Sequence, residues 1–335
     1  MIDYTEQDII SISRRALGVP ETLSGRLVPI TKGGSDRSYY RVLIGQKTVV
    51  FVHYNPERQE NHYYVPIAQF LEKMGIRVPR IIIHDPVSCF AVMEDLGNGD
   101  LWSYRHASWD IRRSFYHGTL EMINRLHLYP AEEFIKQKVP VMDGFDSRLY
   151  RWEQDYFRDN CLVGLCRLEL KGALAKEFEE ELGVLSKRLQ QQGSQLIHRD
   201  LQSQNVMICN NEPVLIDFQG MRFGNRFYDL GSLLYDPYVE LTDDERLQLL
   251  FYYYRLSPQQ LAWEQFKDSF YEASVQRLMQ ALGAYGFLGL KQGRTAFLEY
   301  VPSGLNHLFS VLNKINIFPV LKDIAQRCFQ ILKKA

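Results

Sequence analysis

The sequence is organised around residues 196–220, which read LIHRDLQSQNVMICNNEPVLIDFQG. Two short apolar runs on either side of an Asn- and Pro-containing turn at residues 210–213 predict a β-hairpin. Such a hairpin brings Asn205, at the start of its first strand, close to Asp217, at the end of its second. Asp200 lies on the loop just before it. The stretch therefore gathers two carboxylates and one amide at the same end of a rigid hairpin.

These oxygen-bearing side chains are suited to holding a hard cation beside a hydroxyl group. Magnesium prefers oxygen ligands and is usually held by one or two carboxylates together with substrate phosphates. We therefore predict Asn205 and Asp217 as magnesium ligands. Asp200 remains to orient an acceptor hydroxyl and to accept its proton, and Arg199 is expected to arrange the loop.

The spacing matches the catalytic pattern of kinases, H-R-D-x-x-x-x-N followed by D-F-G. The first motif is complete from His198 to Asn205, whereas the second reads Asp-Phe-Gln-Gly, with Gln219 inserted before the glycine. A simpler interpretation is that these carboxylates only cap loop turns. Two motifs in the right order, joined by a hairpin of the right length, favour the kinase interpretation.

Composition limits the class of protein. At 335 residues the chain is long enough for two domains or one two-lobed unit, and its net charge of −1 does not suggest a nucleic-acid partner. The five cysteines form no CxxC pair, which favours reduced thiols. We find no secretory signal at the N-terminus and no stretch of membrane-spanning length, so we expect a cytoplasmic protein with no membrane partner.

Strand and helix patterns change along the chain. A helix is expected at residues 5–17, followed by five strands between residues 26 and 93, and helices dominate after a polar, Gly-rich link. This order predicts an α+β, protein-kinase-like, two-lobed fold with a small antiparallel sheet. Residues 1–97 would form the nucleotide-binding lobe, and residues 98–335 the catalytic and substrate-binding lobe, which is mainly helical.

The predicted sheet lobe also contains a helix. Asn55 and Pro56 are expected to start it, Pro66 to restart it, and Gly75 to end it. Its position corresponds to the regulatory helix of a kinase small lobe.

Two places in the sheet lobe are suited to binding a nucleotide. A Gly-Gly-Ser turn between the first two strands can present backbone N–H groups to phosphates, although it also reads as an ordinary hairpin turn. The strand that ends in the Gly-rich link resembles the hinge where kinases bind adenine. The predicted nucleotide-binding residues are Gly33, Gly34, Ser35, Arg37, Ser38, Met93, Glu94 and Leu96.

One expected residue is missing. Kinases place a lysine on the third strand to hold the nucleotide phosphates, but residues 48–54 contain none. Either another cation near the turn supplies that charge, with Lys32, Arg37 and Arg41 as candidates, or the phosphates are held in a different way. Arg37 is suited to a bidentate phosphate contact, but the sequence is equally consistent with a solvated surface arginine.

The acceptor side has weaker signals. Trp152 and Glu153 lie on a predicted helix at residues 145–160 that mixes aromatic and acidic side chains, a pattern that suits either a sugar ring or plain packing with solvated acids. Arg222 follows the second motif and is a candidate for shaping the acceptor site. His127 is predicted to be a core histidine, and Asp229 to have a structural role, either capping helix N–H groups or anchoring the catalytic loop.

Several of these stretches together resemble one known family. The sequence resembles the aminoglycoside phosphotransferase and choline kinase superfamily in five stretches: residues 34–41, 93–97, 198–205, 216–220 and 228–234. The Asp-Phe-Gln run and the absent strand lysine most resemble its bacterial anomeric amino-sugar kinases, which act on N-acetylmuramate and N-acetylglucosamine. Many aminoglycoside kinases instead have His-Gly-Asp and Asp-Trp at the matching places.

The resemblance implies a small-molecule kinase that uses ATP and Mg²⁺. The expected acceptor is a sugar or amino sugar, and its anomeric hydroxyl is a candidate position for phosphorylation. Two alternatives stay open: an aminoglycoside or choline kinase of the same superfamily, and a nucleotide-binding pseudokinase without activity. The missing lysine supports the pseudokinase, whereas the intact Asp200, Asn205 and Asp217 argue against it.

Overall fold

The structure, a computed structural model, describes residues 4–30, 37–256 and 261–334. Its N-terminal part is built on an antiparallel sheet of five strands in the order β1-β2-β3-β5-β4. The strands are β1 (Gly25–Ile30), β2 (Ser38–Ile44), β3 (Lys47–His53), β4 (Ile81–Asp85) and β5 (Phe90–Glu94). The predicted five-stranded sheet is therefore confirmed.

The two faces of the sheet bury different elements, because alternate side chains along a strand point to opposite sides. Helix α1 (Glu6–Leu17) covers one face, where Val49 and Phe51 of β3 are buried. Helix α2 (Gln59–Lys73) packs near the other face, against Val50 and Val52. This second face is the one that points toward the candidate site.

Helix α1 begins and ends with the capping residues that the sequence predicts. Thr5 forms a capping box with Asp8, and Gly18 closes the helix in the left-handed region with φ of 60°. In α2 the prediction of a restart at Pro66 is wrong, because Pro66 lies inside one continuous helix. The proline removes one helical hydrogen bond, but burial of Val65 and its neighbours maintains the helix on both sides.

Helices form most of the remaining described chain. They are α3 (Trp109–His127), α4 (Ala131–Gln137), α5 (Ser147–Phe157), α6 (Gly172–Gln191), α7 (Arg226–Leu234), α8 (Asp243–Arg255), α9 (Trp263–Gly286), α10 (Val301–Lys314) and α11 (Pro319–Lys334). Most of the 24 residues of α9 are buried, so this helix forms the centre of the helical part. The sequence analysis did not predict α4 or α11.

Helix α9 approaches α5 closely at two glycines. A Cβ at Gly283 would lie 2.9 Å from backbone atoms of Tyr156, and one at Gly286 would lie 2.3 Å from the carbonyl oxygen of Asn160. Both helices continue into π-helical turns, at Arg158–Leu165 and Phe287–Lys291. Such turns are rare and are frequent near functional sites. Close backbone contact thus fixes α5 and α9 against each other beside the catalytic loop.

Four short strands complete the fold: β6 (Gln195–Ile197), β7 (Val206–Cys209), β8 (Glu212–Leu215) and β9 (Arg222–Gly224). Strands β7 and β8 form the predicted hairpin, but the turn is shorter than residues 210–213. Only Asn210 and Asn211 form it, with φ of 53° and 62°. Asparagine tolerates this conformation, which two-residue hairpin turns require. Because the turn ends at Asn211, Pro213 lies within β8.

No helix in the described part of the chain is long and apolar enough to cross a bilayer.

Candidate active site

The catalytic loop between β6 and β7 is held in place by one buried carboxylate. Asp229, at the start of α7, accepts the backbone N–H of His198 at 2.7 Å and that of Arg199 at 2.8 Å. His198 Nε2 lies 3.0 Å from the carbonyl oxygen of Ile216. Arg199 has φ of 79°, a strained conformation for an arginine, and these contacts maintain it. Of the two structural roles predicted for Asp229, the observed contacts correspond to the anchor.

His127 completes this anchor from α3, in agreement with its prediction as a core histidine. Its Nε2 lies 3.0 Å from Oδ2 of Asp229, and its Nδ1 lies 2.8 Å from the hydroxyl of Tyr253. Burial lowers the pKa of His127, although Asp229 opposes this effect. Because a carboxylate only accepts, we assign the proton of the neutral ring to Nε2, which donates to Asp229.

Two arginines lie against the proposed base. Arg199 pairs with Oδ2 of Asp200, and Nη2 of Arg277 lies 3.6 Å from Oδ1. Burial alone would favour the neutral acid, but the two guanidinium groups outweigh it and lower the pKa of Asp200 below its ordinary value. The carboxylate is therefore ionised at neutral pH. Its side chain is 23% exposed, which leaves it open to an acceptor.

Sequence reasoning missed Arg277. This residue lies on α9, where its Nε donates to Oγ of Ser232 at 3.1 Å and its Nη1 donates to Gln280. The available signal was a lone charged residue among the uncharged residues 275–282, which read VQRLMQAL, a pattern that favours a buried and paired charge. Nothing in the sequence indicated its partner, which is 77 positions away.

The predicted metal ligands come together at the end of the hairpin. The N–H of Ile216 donates to the carbonyl oxygen of Asn205 at 3.0 Å. Nδ2 of Asn205 donates to the carbonyl oxygen of Asp200 at 2.9 Å, so its Oδ1 is the atom left to face a cation. Asp217 follows with φ of 62°.

Asp217 is held through one of its two oxygens. Arg37 Nη2 donates to Oδ1 at 3.0 Å, and Gln219 Nε2 donates to the same atom at 2.8 Å. Oδ2 remains for another ligand. The inserted glutamine thus has a local function, which is to fix the Asp217 side chain.

The donor set fits magnesium better than a metal held by protein alone. Within the described ranges, no group of three or more His, Cys, Asp or Glu residues forms a metal cage. One amide oxygen and one carboxylate oxygen would leave most coordination positions to water and to phosphate oxygens. This is the usual pattern for magnesium in phosphoryl transfer.

Part of the predicted nucleotide side is described. Gly33, Gly34 and Ser35 lie outside the described residues, as does Lys32. Arg37 is nearly buried, and Ser38 begins β2 with an exposed side chain. Met93 lines a narrow cavity together with Arg37.

The residues of the predicted hinge are fixed by Arg41. Its guanidinium donates to both oxygens of Asp95, at 2.7 and 2.9 Å, to Asn98 at 2.7 Å and to the carbonyl oxygen of Gly97 at 2.8 Å. Arg41 therefore braces the hinge and is not placed to replace the strand lysine, because its donors are used there.

Glu94 and Leu96 differ in their backbone partners. The N–H of Glu94 donates to Arg80 within the sheet. Leu96 is largely buried, and its N–H has no hydrogen bond to the described residues. Of these two backbone amides, that of Leu96 is the one available to a nucleotide base.

The three predicted acceptor residues have different surroundings. Glu153 is buried beneath the catalytic loop, where its oxygens accept bonds from Tyr228 at 2.9 Å and Gln276 at 3.0 Å, and Arg199 lies 3.9 Å away. Burial raises the pKa of Glu153, although Arg199 opposes this effect. The structure places it behind the loop and not on an open face.

Trp152 and Arg222 are more accessible. Trp152 is 53% exposed and stacks on Tyr156, with ring centroids 5.0 Å apart. Arg222, on β9, donates from Nε to the carbonyl oxygen of Gly220 at 3.0 Å and lies over the ring of Phe145. Burial, followed by the charge of Arg199, lowers the pKa of Arg222. The charge of Asp200 acts on Arg222, so this side chain lies near the candidate base, whereas Trp152 is placed beside Tyr156.

The chain is similar to proteins of a known family. Residues 26–266 match the model of the phosphotransferase enzyme family. The chain belongs to this family. The phosphotransferase is a small-molecule kinase, as its sequence predicted, and its resemblance to the aminoglycoside phosphotransferase and choline kinase superfamily is confirmed.

Two curated relatives of the phosphotransferase carry the same name, N-acetylmuramate/N-acetylglucosamine kinase. The protein of Pseudomonas aeruginosa is 24% identical over 299 residues, which cover 88% of this chain and 86% of that protein. The protein of Neisseria meningitidis is 24% identical over 280 residues, which cover 81% of each.

Solved structures show the fold of the phosphotransferase. A choline kinase from Cryptosporidium parvum superposes with a TM-score of 0.62 at 14% identity, over 96% of this chain and 99% of that one. An ADP-bound aminoglycoside phosphotransferase gives 0.58 at 13% identity, over 90% of this chain and 98% of that one. The predicted fold class is confirmed.

The anchor at Asp229 gives a stability prediction for the phosphotransferase. Asp229→Asn replaces one acceptor oxygen by an amide that only donates, so one buried N–H of the loop loses its partner. We expect a loss of about 2–3 kcal/mol in the free energy of unfolding, measured by urea titration. The matched control is Asp110→Asn, because Asp110 is 82% exposed. A change at Asp229 no larger than that of the control would contradict the anchoring role.

Proposed function

We propose that this phosphotransferase moves the γ-phosphoryl group of ATP, with Mg²⁺, to a hydroxyl of a sugar or amino sugar. The observation that carries the proposal is the convergence of Asp200, Asn205 and Asp217 at one end of the β7–β8 hairpin. The carboxylate of Asp200 is ionised and accessible, and the two other side chains have one oxygen each directed away from their protein partners. Phosphoryl transfer requires mainly positioning and charge neutralisation, which this set can supply.

In the proposed reaction, Asp200 orients the acceptor hydroxyl and takes its proton. The acceptor oxygen forms a bond to the γ-phosphorus as the bond to the β,γ-bridging oxygen breaks, and ADP leaves. Magnesium held by Asn205 and Asp217 would neutralise charge on the phosphates. Arg199 and Arg277 hold the Asp200 carboxylate in position and keep it ionised until it takes the proton.

We assign nucleotide binding to the sheet-bearing residues 1–97 and catalysis with acceptor binding to residues 98–335. The adenine would lie at the hinge, where the N–H of Leu96 has no partner among the described residues. Met93 would line the base pocket beside Glu94. The glycine-rich turn that precedes Arg37 and Ser38 would cover the phosphates.

The acceptor proposal depends on the names of the relatives and on two accessible side chains, Trp152 and Arg222. Both relatives above are named as kinases of N-acetylmuramate and N-acetylglucosamine. The exposed Trp152, stacked on Tyr156, offers a flat apolar surface that suits a sugar ring. Arg222 offers donors to the oxygens of an acceptor. Glu153 would act indirectly, because it is buried and contacts Arg199.

An acceptor panel tests this proposal. Purified protein is supplied with ATP, Mg²⁺ and one of four compounds: N-acetylmuramate, N-acetylglucosamine, kanamycin or choline. We expect ADP release well above the acceptor-free rate with at least one of the two sugars and with neither other compound. Release with kanamycin or choline but with no sugar would replace the proposed acceptor class. ATP and Mg²⁺ binding without turnover on any acceptor would favour a pseudokinase.

A further inference from the structure

The third strand has no cation on the face that points toward the site. That face of β3 shows Val50 and Val52, both buried among apolar neighbours. In protein kinases, the strand lysine pairs with a glutamate of the neighbouring helix and contacts the nucleotide phosphates. Here the corresponding helix, α2, presents Tyr64 and Val65 to the same region. Lys47 of β3 donates to Leu17 at the end of α1, and Glu60 of α2 pairs locally with Arg58, so neither forms such a lysine–glutamate pair between these described elements.

Arg37 reaches this region from the position just before β2. It lies two positions before Tyr39, which pairs with Val52 across β2 and β3, so by alternation Arg37 and Tyr39 share a face. The Arg37 side chain is only 7% exposed, and its guanidinium lies 5.9 Å from the ring centroid of Tyr39. It lines a narrow cavity with Val52 and Tyr64. The charge is therefore inside the fold, beneath the sheet.

The far end of Arg37 meets the candidate metal ligand. Its Nη2 is 3.0 Å from Oδ1 of Asp217. Tyr64 of α2 stacks on Phe218, the next residue in the motif, with ring centroids 4.6 Å apart. Gln219 donates to the same Asp217 oxygen. The guanidinium is thus fixed where the sheet, α2 and the Asp-Phe-Gln motif meet, which is where the nucleotide phosphates of a kinase approach the metal.

We propose that Arg37 supplies, from the position just before β2, the phosphate-binding positive charge that kinases place on the third strand. This inference rests on the proposed use of a nucleotide at this site and adds a catalytic residue to it. With Nη2 held by Asp217, the buried positive charge of Arg37 lies beside the candidate metal ligand, where it would attract phosphate oxygens. An arginine serves this purpose through its planar, fork-shaped set of donors, whereas a lysine acts as a point charge. Of the three candidate cations, Arg41 is used at the hinge and Lys32 lies outside the described residues.

The test compares nucleotide binding by variants of Arg37. Arg37→Gln keeps a donor for Asp217 but removes the charge, and Arg37→Lys keeps the charge. Affinity for ADP with Mg²⁺ is measured by calorimetry without acceptor, and kcat/KM for ATP by steady-state kinetics. We expect Arg37→Gln to lose roughly 10- to 100-fold in both quantities, since hydrogen bonds to charged groups contribute that much. Arg37→Lys should lose clearly less than Arg37→Gln.

A relocation variant and a control sharpen the result. Arg37→Gln combined with Val52→Lys restores a cation to the third strand and should recover part of the nucleotide affinity. Arg26→Gln is the control, because Arg26 is an exposed arginine on β1 whose partner in the register is Leu43, away from Arg37. It should bind nucleotide as the wild type does. Thermal unfolding of each variant shows whether it is folded.

Two outcomes would overturn the inference. One is wild-type nucleotide affinity in Arg37→Gln, and the other is equal loss in the glutamine and lysine variants, which would show that shape and not charge matters. If Arg37→Gln does not fold, the test depends on Arg37→Lys. A nucleotide affinity of Arg37→Lys as low as that of Asp217→Asn would overturn the charge role. Failure of the proposed acceptor class is distinguishable, because a protein that phosphorylates no sugar can still be tested for ADP binding.

Discussion

Asp200→Asn is expected to lower kcat for phosphoryl transfer by about 10³-fold, within the range that a general base contributes. The substitution keeps the size of the side chain and one acceptor oxygen, so the loop conformation held by Asp229 should persist. It removes the negative charge that orients the acceptor hydroxyl and takes its proton. ADP affinity should remain within about threefold of the wild type, because Asp200 is assigned no nucleotide contact.

The measurement is steady-state turnover at saturating ATP and acceptor, together with calorimetric ADP titration. Asp323→Asn serves as the control, since this carboxylate is half exposed on α11 and pairs only locally with Arg327 at 2.7 Å. The control should keep wild-type kcat. Near-normal turnover in Asp200→Asn would show that another group orients the hydroxyl.

Asp217→Asn is expected to have the second-largest effect, on the dependence of activity on magnesium. The amide oxygen can still accept from Arg37 and Gln219, so the local contacts at Oδ1 are kept. The substitution removes the negative charge at Oδ2, so the magnesium ion would lose an anionic ligand. We expect the Mg²⁺ concentration for half-maximal activity to rise about tenfold or more and kcat to fall about 10²-fold, since metal neutralisation of phosphate charge contributes several kcal/mol.

A magnesium titration of turnover at fixed ATP checks this expectation. Asp110→Asn is again a suitable control, because its carboxylate is exposed and pairs with Arg113 on the same helix. An unchanged magnesium dependence in Asp217→Asn would remove Asp217 from the metal site. It would leave the separate prediction for Asp200 standing.

Local patterns in the sequence were enough to predict the hairpin and the groups around it. The apolar runs, the turn residues and the two motifs lie within 25 residues, so chain connectivity alone brings Asn205 near Asp217. The boundaries were less exact. Pro66 was predicted to interrupt α2 because proline breaks isolated helices, whereas burial of the neighbouring residues maintains the helix in the fold.

The unpredicted features depend on contacts between distant parts of the chain. Arg277 reaches Asp200 across 77 positions, and Arg37 reaches Asp217 across 180. Periodicity and motif spacing carry no information about such pairs. Glu153 shows the same limit, because its helix mixes polar and aromatic residues and only the packing against Tyr228 and Gln276 reveals that it is buried.

The central claim is that the ionised Asp200 directs the γ-phosphoryl group of ATP to a sugar hydroxyl. Phosphorus NMR of a reaction with ATP, Mg²⁺ and N-acetylmuramate or N-acetylglucosamine tests it most directly. We predict a new sugar-phosphate signal that grows with ADP in the wild type and is absent over the same time in Asp200→Asn. Equal growth of that signal in both proteins, or ADP formation in the wild type with only inorganic phosphate as the other product, would contradict the claim.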